Sequence, residues 1–187
     1  MRFQVSLEAT IRIGERILCD EGETWALIRA VLIDPVAGIL DRVVIEPAHM
    51  VAVGQFAPAD KLSFSDGVLS FDGRRAIVDL NARAETQEWV PPEGRGLGTI
   101  KGSVIAIKGL MTLDGTTEVL DEDGDAVGTV VGVAVRGGGV VHSLVVRMPG
   151  RLRHKEVLVA ADGAVVDPGG PVRLEVTRDD LRRRPRA

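Results

Sequence analysis

The chain repeats itself. Cys19-Asp20-Glu21-Gly22-Glu23 is answered by Asp121-Glu122-Asp123-Gly124-Asp125, and the two central glycines are 102 residues apart. Each acidic turn is followed by a β-branched run, Ala30-Val31-Leu32-Ile33 in one case and Val131-Gly132-Val133-Ala134-Val135 in the other. The same offset places Phe3 and Val5 on Ile105 and Ile107, and Ile17-Leu18 on Val119-Leu120. After a one-residue slip, Gly38 to Ile45 matches Gly139 to Val146, and Phe56-Ala57-Pro58-Ala59-Asp60 then falls opposite Leu158-Val159-Ala160-Ala161-Asp162. Four blocks in one order point to duplication of a module, and a fold must be assigned to the module before the chain. The register is lost after Phe71, so the first copy carries extra residues there.

The apolar residues of both copies alternate or form short runs, which is the period of strands and not of helices. Val119-Leu120, Asp123-Gly124 and Val127 to Val135 read as strand, tight turn, strand, with Asp-Gly supplying the positive φ that a hairpin turn requires. Arg136-Gly137-Gly138-Gly139 is a second turn, leading into Val140 to Val146. Thr112-Leu113 and Glu118-Val119-Leu120 flank an Asp114-Gly115 turn, and Asp66-Gly67 and Asp162-Gly163 mark later ones. The spacing points to an all-β class in which each copy is a small barrel or sandwich; the expected architecture is two tandem small β-barrels, which could pack as a pseudo-symmetric pair.

One helical segment is expected, at the C-terminal end. Thr177 is a suitable N-cap, Asp179 and Asp180 fall in the first turn, Arg182 to Arg184 in the last, and Pro185 ends it. Between the copies, Trp89-Val90-Pro91-Pro92-Glu93-Gly94-Arg95-Gly96-Leu97-Gly98 joins paired prolines to alternating glycines. That composition reads as a linker. Its Gly-x-Gly-x-Gly run neither follows a strand opening onto a helix nor ends in Lys-Ser/Thr, so it is not a nucleotide loop. The boundaries follow: a looser module at 1–88, a linker at 89–102 and a clearer module at 103–187.

These residues resemble the PRC-barrel superfamily, the β-barrel module of the cytoplasmic domain of the photosynthetic reaction-centre H subunit and of the C-terminal domain of a ribosome maturation factor. The likeness rests chiefly on Glu118 to Val130, Val140 to Arg147, Arg151 to Val159, Val172-Arg173-Leu174, Thr177 to Leu181 and Pro185. The first copy keeps Ile17 to Ile33, Arg42 to Pro47, Phe56-Ala57-Pro58 and Val68 to Phe71, with Trp25-Ala26 where the family prefers a glycine after the turn. The resemblance implies a docking or assembly module without a shared catalytic set.

Composition narrows the chemistry. The hydrophobic fraction of 45% is ample for a core, but aromatics make up 3% and there is no Tyr. A net charge of −4 argues against a general nucleic-acid binder. The single cysteine, Cys19, excludes an internal disulfide and a Cys-rich zinc site, and its strand-like setting suits a buried thiol. No run approaches the about 18–20 apolar residues of a membrane helix. Met1 to Glu8 alternates without the apolar core of a signal peptide, so no membrane insertion and cytoplasmic residence are expected.

Asp121 to Asp125 begins like a calcium loop, but Ala126 and Gly132 stand where that loop needs its glycine and its last acid; a hairpin turn is expected. His49, His142 and His154 are scattered, and alternation places His142 on the surface. No Gly-x-Ser-x-Gly is present, so no catalytic residue, cofactor or metal ligand is assigned and a non-enzyme is expected. What remains is two basic clusters: Arg151, Arg153, His154 and Lys155, and Arg182, Arg183 and Arg184. Arginine forks pair with carboxylate or phosphate. The leading expectation is therefore a protein-interaction or assembly module that binds a protein partner or itself. An RNA- or ribosome-associated factor is the alternative, and small-ligand or ion binding at the junction of the modules is a third.

Overall fold

The computed structural model describes residues 9–19, 24–47, 55–71, 87–90, 104–107, 109–150, 153–166 and 170–187. The chain is all-β, with one short α-helix among the described residues. Fourteen strands share one mixed sheet, and two more, β8 (Gln87–Val90) and β9 (Val104–Ile107), pair antiparallel with each other. Trp89 and Val90, at the start of the expected linker, thus belong to a strand, while residues 91–100 lie outside the described residues.

The duplication reappears as hydrogen bonding. In the first half, β2 (Arg16–Cys19), β3 (Thr24–Asp34), β4 (Ile39–Pro47), β5 (Gln55–Pro58), β6 (Leu62–Ser65) and β7 (Val68–Phe71) lie in the order β6-β7-β2-β3-β4-β5. In the second, β11 (Glu118–Leu120), β12 (Ala126–Arg136), β13 (Val140–Met148), β14 (Lys155–Ala160), β15 (Ala164–Val166) and β16 (Val172–Leu174) give β15-β16-β11-β12-β13-β14. The only parallel pairs among the described residues, β2 with β7 and β11 with β16, occupy equivalent places.

Even the irregularities repeat. The β3–β4 ladder shifts register between Ile28 and Ala30 and between Leu32 and Ile33; the β12–β13 ladder shifts between Val130 and Gly132 and between Ala134 and Val135. Each bulge inserts a residue and turns the strand, so core-facing positions change from every second to every third residue. The core accordingly takes Ile28, Val31 and Ile33 from β3 and Val130, Val133 and Val135 from β12. It takes Leu40, Val43 and Ile45 from β4 and Val141, Leu144 and Val146 from β13 in the same way.

Two strands cross between the halves. β1 (Ala9–Arg12) pairs with β12, Ala9 opposite Val135 and Ile11 opposite Val133. β10 (Met111–Asp114) pairs with β3, Met111 opposite Ile33 and Leu113 opposite Val31. These are the same pairing, because a shift of 102 carries Ala9 to Met111 and Ile33 to Val135. The exchange is reciprocal. Asp114 explains how β10 leaves: its Oδ1 accepts the Thr116 N–H at 2.9 Å and its carbonyl the Thr117 N–H at 3.0 Å, closing a turn that sends β10 to β3 and β11 to β12. The halves also meet where Val140 of β13 pairs with Ile39 of β4, supported by Val141 N–H donating to Gly38 O at 2.9 Å.

One buried cluster runs through both halves, joining Ile11, Ile17, Val31 and Val43 to Leu113, Val133, Leu144 and Val157. A second, small cluster of Ala30, Leu32, Val44 and Phe56 lies on the opposite face of β3, β4 and β5. Covering both faces accounts for the nearly unbroken apolar sequence of β3.

The helix α1 (Arg178–Arg183) forms where expected. Thr177 Oγ1 accepts the Asp180 N–H at 3.1 Å and donates to Asp180 Oδ2 at 2.8 Å, a reciprocal cap. Leu181 is fully buried and anchors the helix to the common core. None of the described helices is long and apolar enough to cross a membrane.

Candidate functional site

The two basic clusters converge. Lys155 opens β14, and its Nζ donates to the backbone carbonyl of Arg182 at the end of α1. Beyond the helix the chain turns along the outer edge of β14: Arg184 Nη1 donates to Leu158 O at 3.0 Å, and Ala187 N–H to Glu156 O at 3.0 Å. The strand's other edge is taken by β13, so β14 is held on both sides. Arg153 and His154 are exposed at the start of this strand, and Arg182 and Arg183 are exposed on α1. Arg151 lies outside the described residues.

The electrostatics of this face are uneven. Arg182 reaches Asp179 at 3.3 Å and Arg183 reaches Asp180 at 4.0 Å, both pairs well exposed. Such pairs contribute about 0–1 kcal/mol each, and Asp180 is already engaged by the Thr177 cap. Lys155 and Arg184 are fixed by neutral carbonyls, which orient a cation without cancelling its charge. Arg153 and Arg186 have no ion-pair partner among the described residues. A protein of net charge −4 therefore concentrates uncompensated positive charge here.

Glu156, the one acid on β14, is turned away from this face. Its carboxylate accepts from Arg12 of β1 and from Arg147 of β13, at 3.1 and 2.9 Å from the Arg147 Nε and Nη2. It thereby ties the exchanged strand to the second half. Sequence reading did not single out this group, because residues 12, 147 and 156 meet only through the β1–β12–β13–β14 ladder. Burial alone would raise the Glu156 pKa, but the hydrogen bonds from Arg147 and Arg12 outweigh it and hold the group below the ordinary value of 4.5. Glu15, 3.7 Å from Arg12, is raised instead, chiefly by burial, which Arg12 opposes and Glu156 reinforces.

The signs give a pH prediction. The Glu156 contribution is complete above its unfolded pKa and is lost as pH falls through its depressed folded value. The Glu15 contribution runs oppositely, present below the unfolded pKa and lost as pH rises through the raised folded value. Stability should fall on acidification below the ordinary carboxylate range, and Glu156→Gln should flatten that acid limb while Glu15→Gln raises stability at neutral pH. Urea midpoints measured across the acid range check this, and an acid limb unchanged in Glu156→Gln would refute it.

The other sequence candidates resolve into structure. In the Asp121–Asp125 turn, Asp121 is buried and its Oδ1 accepts the Asp125 N–H at 2.9 Å, so the carboxylate closes the hairpin. Cys19 is buried at the end of β2. His142 departs from the expected surface position. It is the residue skipped at the second β12–β13 bulge, since Val135 faces Val141 and Ala134 faces Ser143. The bulge rotates it to a half-buried site where Nδ1 lies 3.0 Å from Ser143 Oγ and Nε2 is enclosed without a hydrogen-bond partner among the described residues. His154 is exposed, and His49 lies outside the described residues.

Two hollows accompany the sheet. An apolar one at the junction of the halves, between Ala9 and Ile11 of β1, Leu40, Phe64, Leu69 and Val135, has a volume of about 20 Å³. That is room for roughly one water. A more open groove of about 310 Å³ is lined by Asp34, Ile39, Asp41, Arg42, Pro58 and Asp60. Its acids are largely committed: Asp34 caps the Val36 and Ala37 N–H groups at 2.9 and 3.0 Å, and Asp41 pairs with Arg42.

No family model matches the chain, and no curated protein matches its sequence. The geometry of the basic face is therefore the ground on which a function can be argued.

Proposed function

We propose that the chain is a non-catalytic protein-interaction or assembly module of the PRC-barrel type, with each half a variant of the same small barrel. The observation that carries this reading is the contrast between its two kinds of surface. The surfaces by which the halves recognise each other are consumed by reciprocal strand exchange and a common core. The face built from β14, α1 and the segment after it instead presents Lys155 and Arg184 oriented on neutral carbonyls, beside Arg182 and Arg183, whose ion pairs with Asp179 and Asp180 are exposed and weak. Like charges held close together cost stability in the free protein, and a partner of opposite charge recovers that cost on binding.

Size-exclusion chromatography with light scattering, on the pure protein and after mixing with lysate of its native host, tests the reading. A self-assembled or lysate-shifted species is expected, and mass spectrometry of that species identifies its components. A monomer unchanged at high concentration and by lysate would overturn it.

A further inference from the structure

We infer that the face formed by Arg153, Lys155, Arg182, Arg183 and Arg184 is a single docking site for an acidic, carboxylate-rich segment of a partner protein. This rests on the assembly-module reading and names its partner chemistry.

Three observations lead there. First, the two clusters are one surface, because Lys155 holds the Arg182 carbonyl and Arg184 holds that of Leu158. Second, the backbone edge of β14 is already engaged by the segment after α1, through Ala187 N–H and the Arg184 side chain. A partner at this place is therefore recognised by side-chain charge and not by adding a strand, and guanidinium forks match carboxylates with two parallel hydrogen bonds. Third, the surroundings do not suit a nucleic acid. All six Phe and Trp residues, Phe3, Trp25, Phe56, Phe64, Phe71 and Trp89, precede residue 90, so the half bearing this face offers only the smaller imidazole rings of His142 and His154, of which His154 is exposed here, for a base to stack on. The net charge of −4 also means that a long polyanion running beyond the patch meets repulsion, whereas a short acidic segment is confined to it.

The test is titration of the full chain with a short fluorescent glutamate-rich peptide and, separately, with a single-stranded RNA of mixed sequence, each at low and physiological salt. The peptide should bind one per chain, more tightly than the RNA, and weaken as salt rises. The combined substitution Arg182→Gln, Arg183→Gln and Arg184→Gln should weaken it about tenfold, the summed effect of three surface charge contacts. Arg153→Gln with Lys155→Gln should weaken it too, without changing the stoichiometry, while Arg29→Gln, paired with Glu46 elsewhere, should leave it unaltered. Glutamine keeps a donor for the Leu158 carbonyl, and unchanged urea midpoints would show that the variants fold.

Peptide affinity indifferent to both sets of substitutions, two peptides per chain, or tighter binding of RNA would each overturn the inference. If the peptide fails while a lysate-shifted complex survives in the arginine variants, the assembly function stands and its surface lies elsewhere. If no complex forms at all, both readings fall.

Discussion

Replacing Leu113 with alanine is expected to lower the stability of the entire chain by about 3 kcal/mol, within the range for a fully buried leucine. Leu113 belongs by sequence to the second copy, yet it lies on β10 opposite Val31 of β3 and is completely buried in the core shared by both halves. The cavity left behind would remove contacts from both halves at once. Urea unfolding followed by the fluorescence of the two tryptophans, Trp25 and Trp89, and by far-ultraviolet circular dichroism should show one transition, displaced equally in both signals. Two separate transitions, with only one moved by Leu113→Ala, would show that the halves are energetically independent and that strand exchange couples them little.

Gly132→Ala is the second large effect, and it acts on the other exchanged strand. A Cβ at Gly132 would lie 2.5 Å from the carbonyl oxygen of Ile11 and 3.1 Å from Cα of Arg12, both backbone atoms of β1. They cannot withdraw without breaking the β1–β12 ladder and the Ile13 N–H to Val131 O bond of 2.9 Å beside it. Overpacking of this kind costs about 1–3 kcal/mol, and the strain should fall on β1 before it reaches the rest of the sheet. Hydrogen exchange should show lost protection at β1 amides with β13 and β14 little changed. Gly115→Ala is the control, since its Cβ would meet only the Ile13 methyl group at an ordinary 3.8 Å. Unaltered β1 protection in Gly132→Ala would mean that β1 and β12 separate more easily than the ladder implies.

The Gly132 position has a counterpart in the first copy, and the difference between the two was not visible in the residues alone. Ala30 stands at the first-half position equivalent to Gly132, opposite Asp114 on β10, where a Cβ is accommodated. One copy admits a methyl group where the other does not, so the halves have diverged in how closely the exchanged strand approaches.

Much of the local structure was legible. The Asp-Gly and Gly-Gly turns appear where φ must be positive, with Gly124 at 87° and Gly138 at 81°. The helix from Arg178 to Arg183 begins at its Thr cap and stops before Pro185, because capping and proline geometry act within a few residues. The repeat itself was readable because equivalent strands must satisfy equivalent neighbours. The bulges were not. A bulge changes the spacing of core positions from two to three without any residue that announces it, and this is why His142 was expected on the surface and lies half-buried.

The basic clusters were each visible as runs of charge, but their union was not, since Lys155 and Arg182 meet only once α1 has docked through Leu181. Sequence by itself thus determined the period of the strands, the turns, the helix and the fact of duplication, all of which depend on interactions among near neighbours. Only the tertiary structure decided which copy's strand completes which sheet. Ala9-Thr10-Ile11-Arg12 and Met111-Thr112-Leu113-Asp114 share one apolar pattern, and each could lie against either long strand. The choice is made by the global geometry that lets both strands be paired and both cores be closed at once.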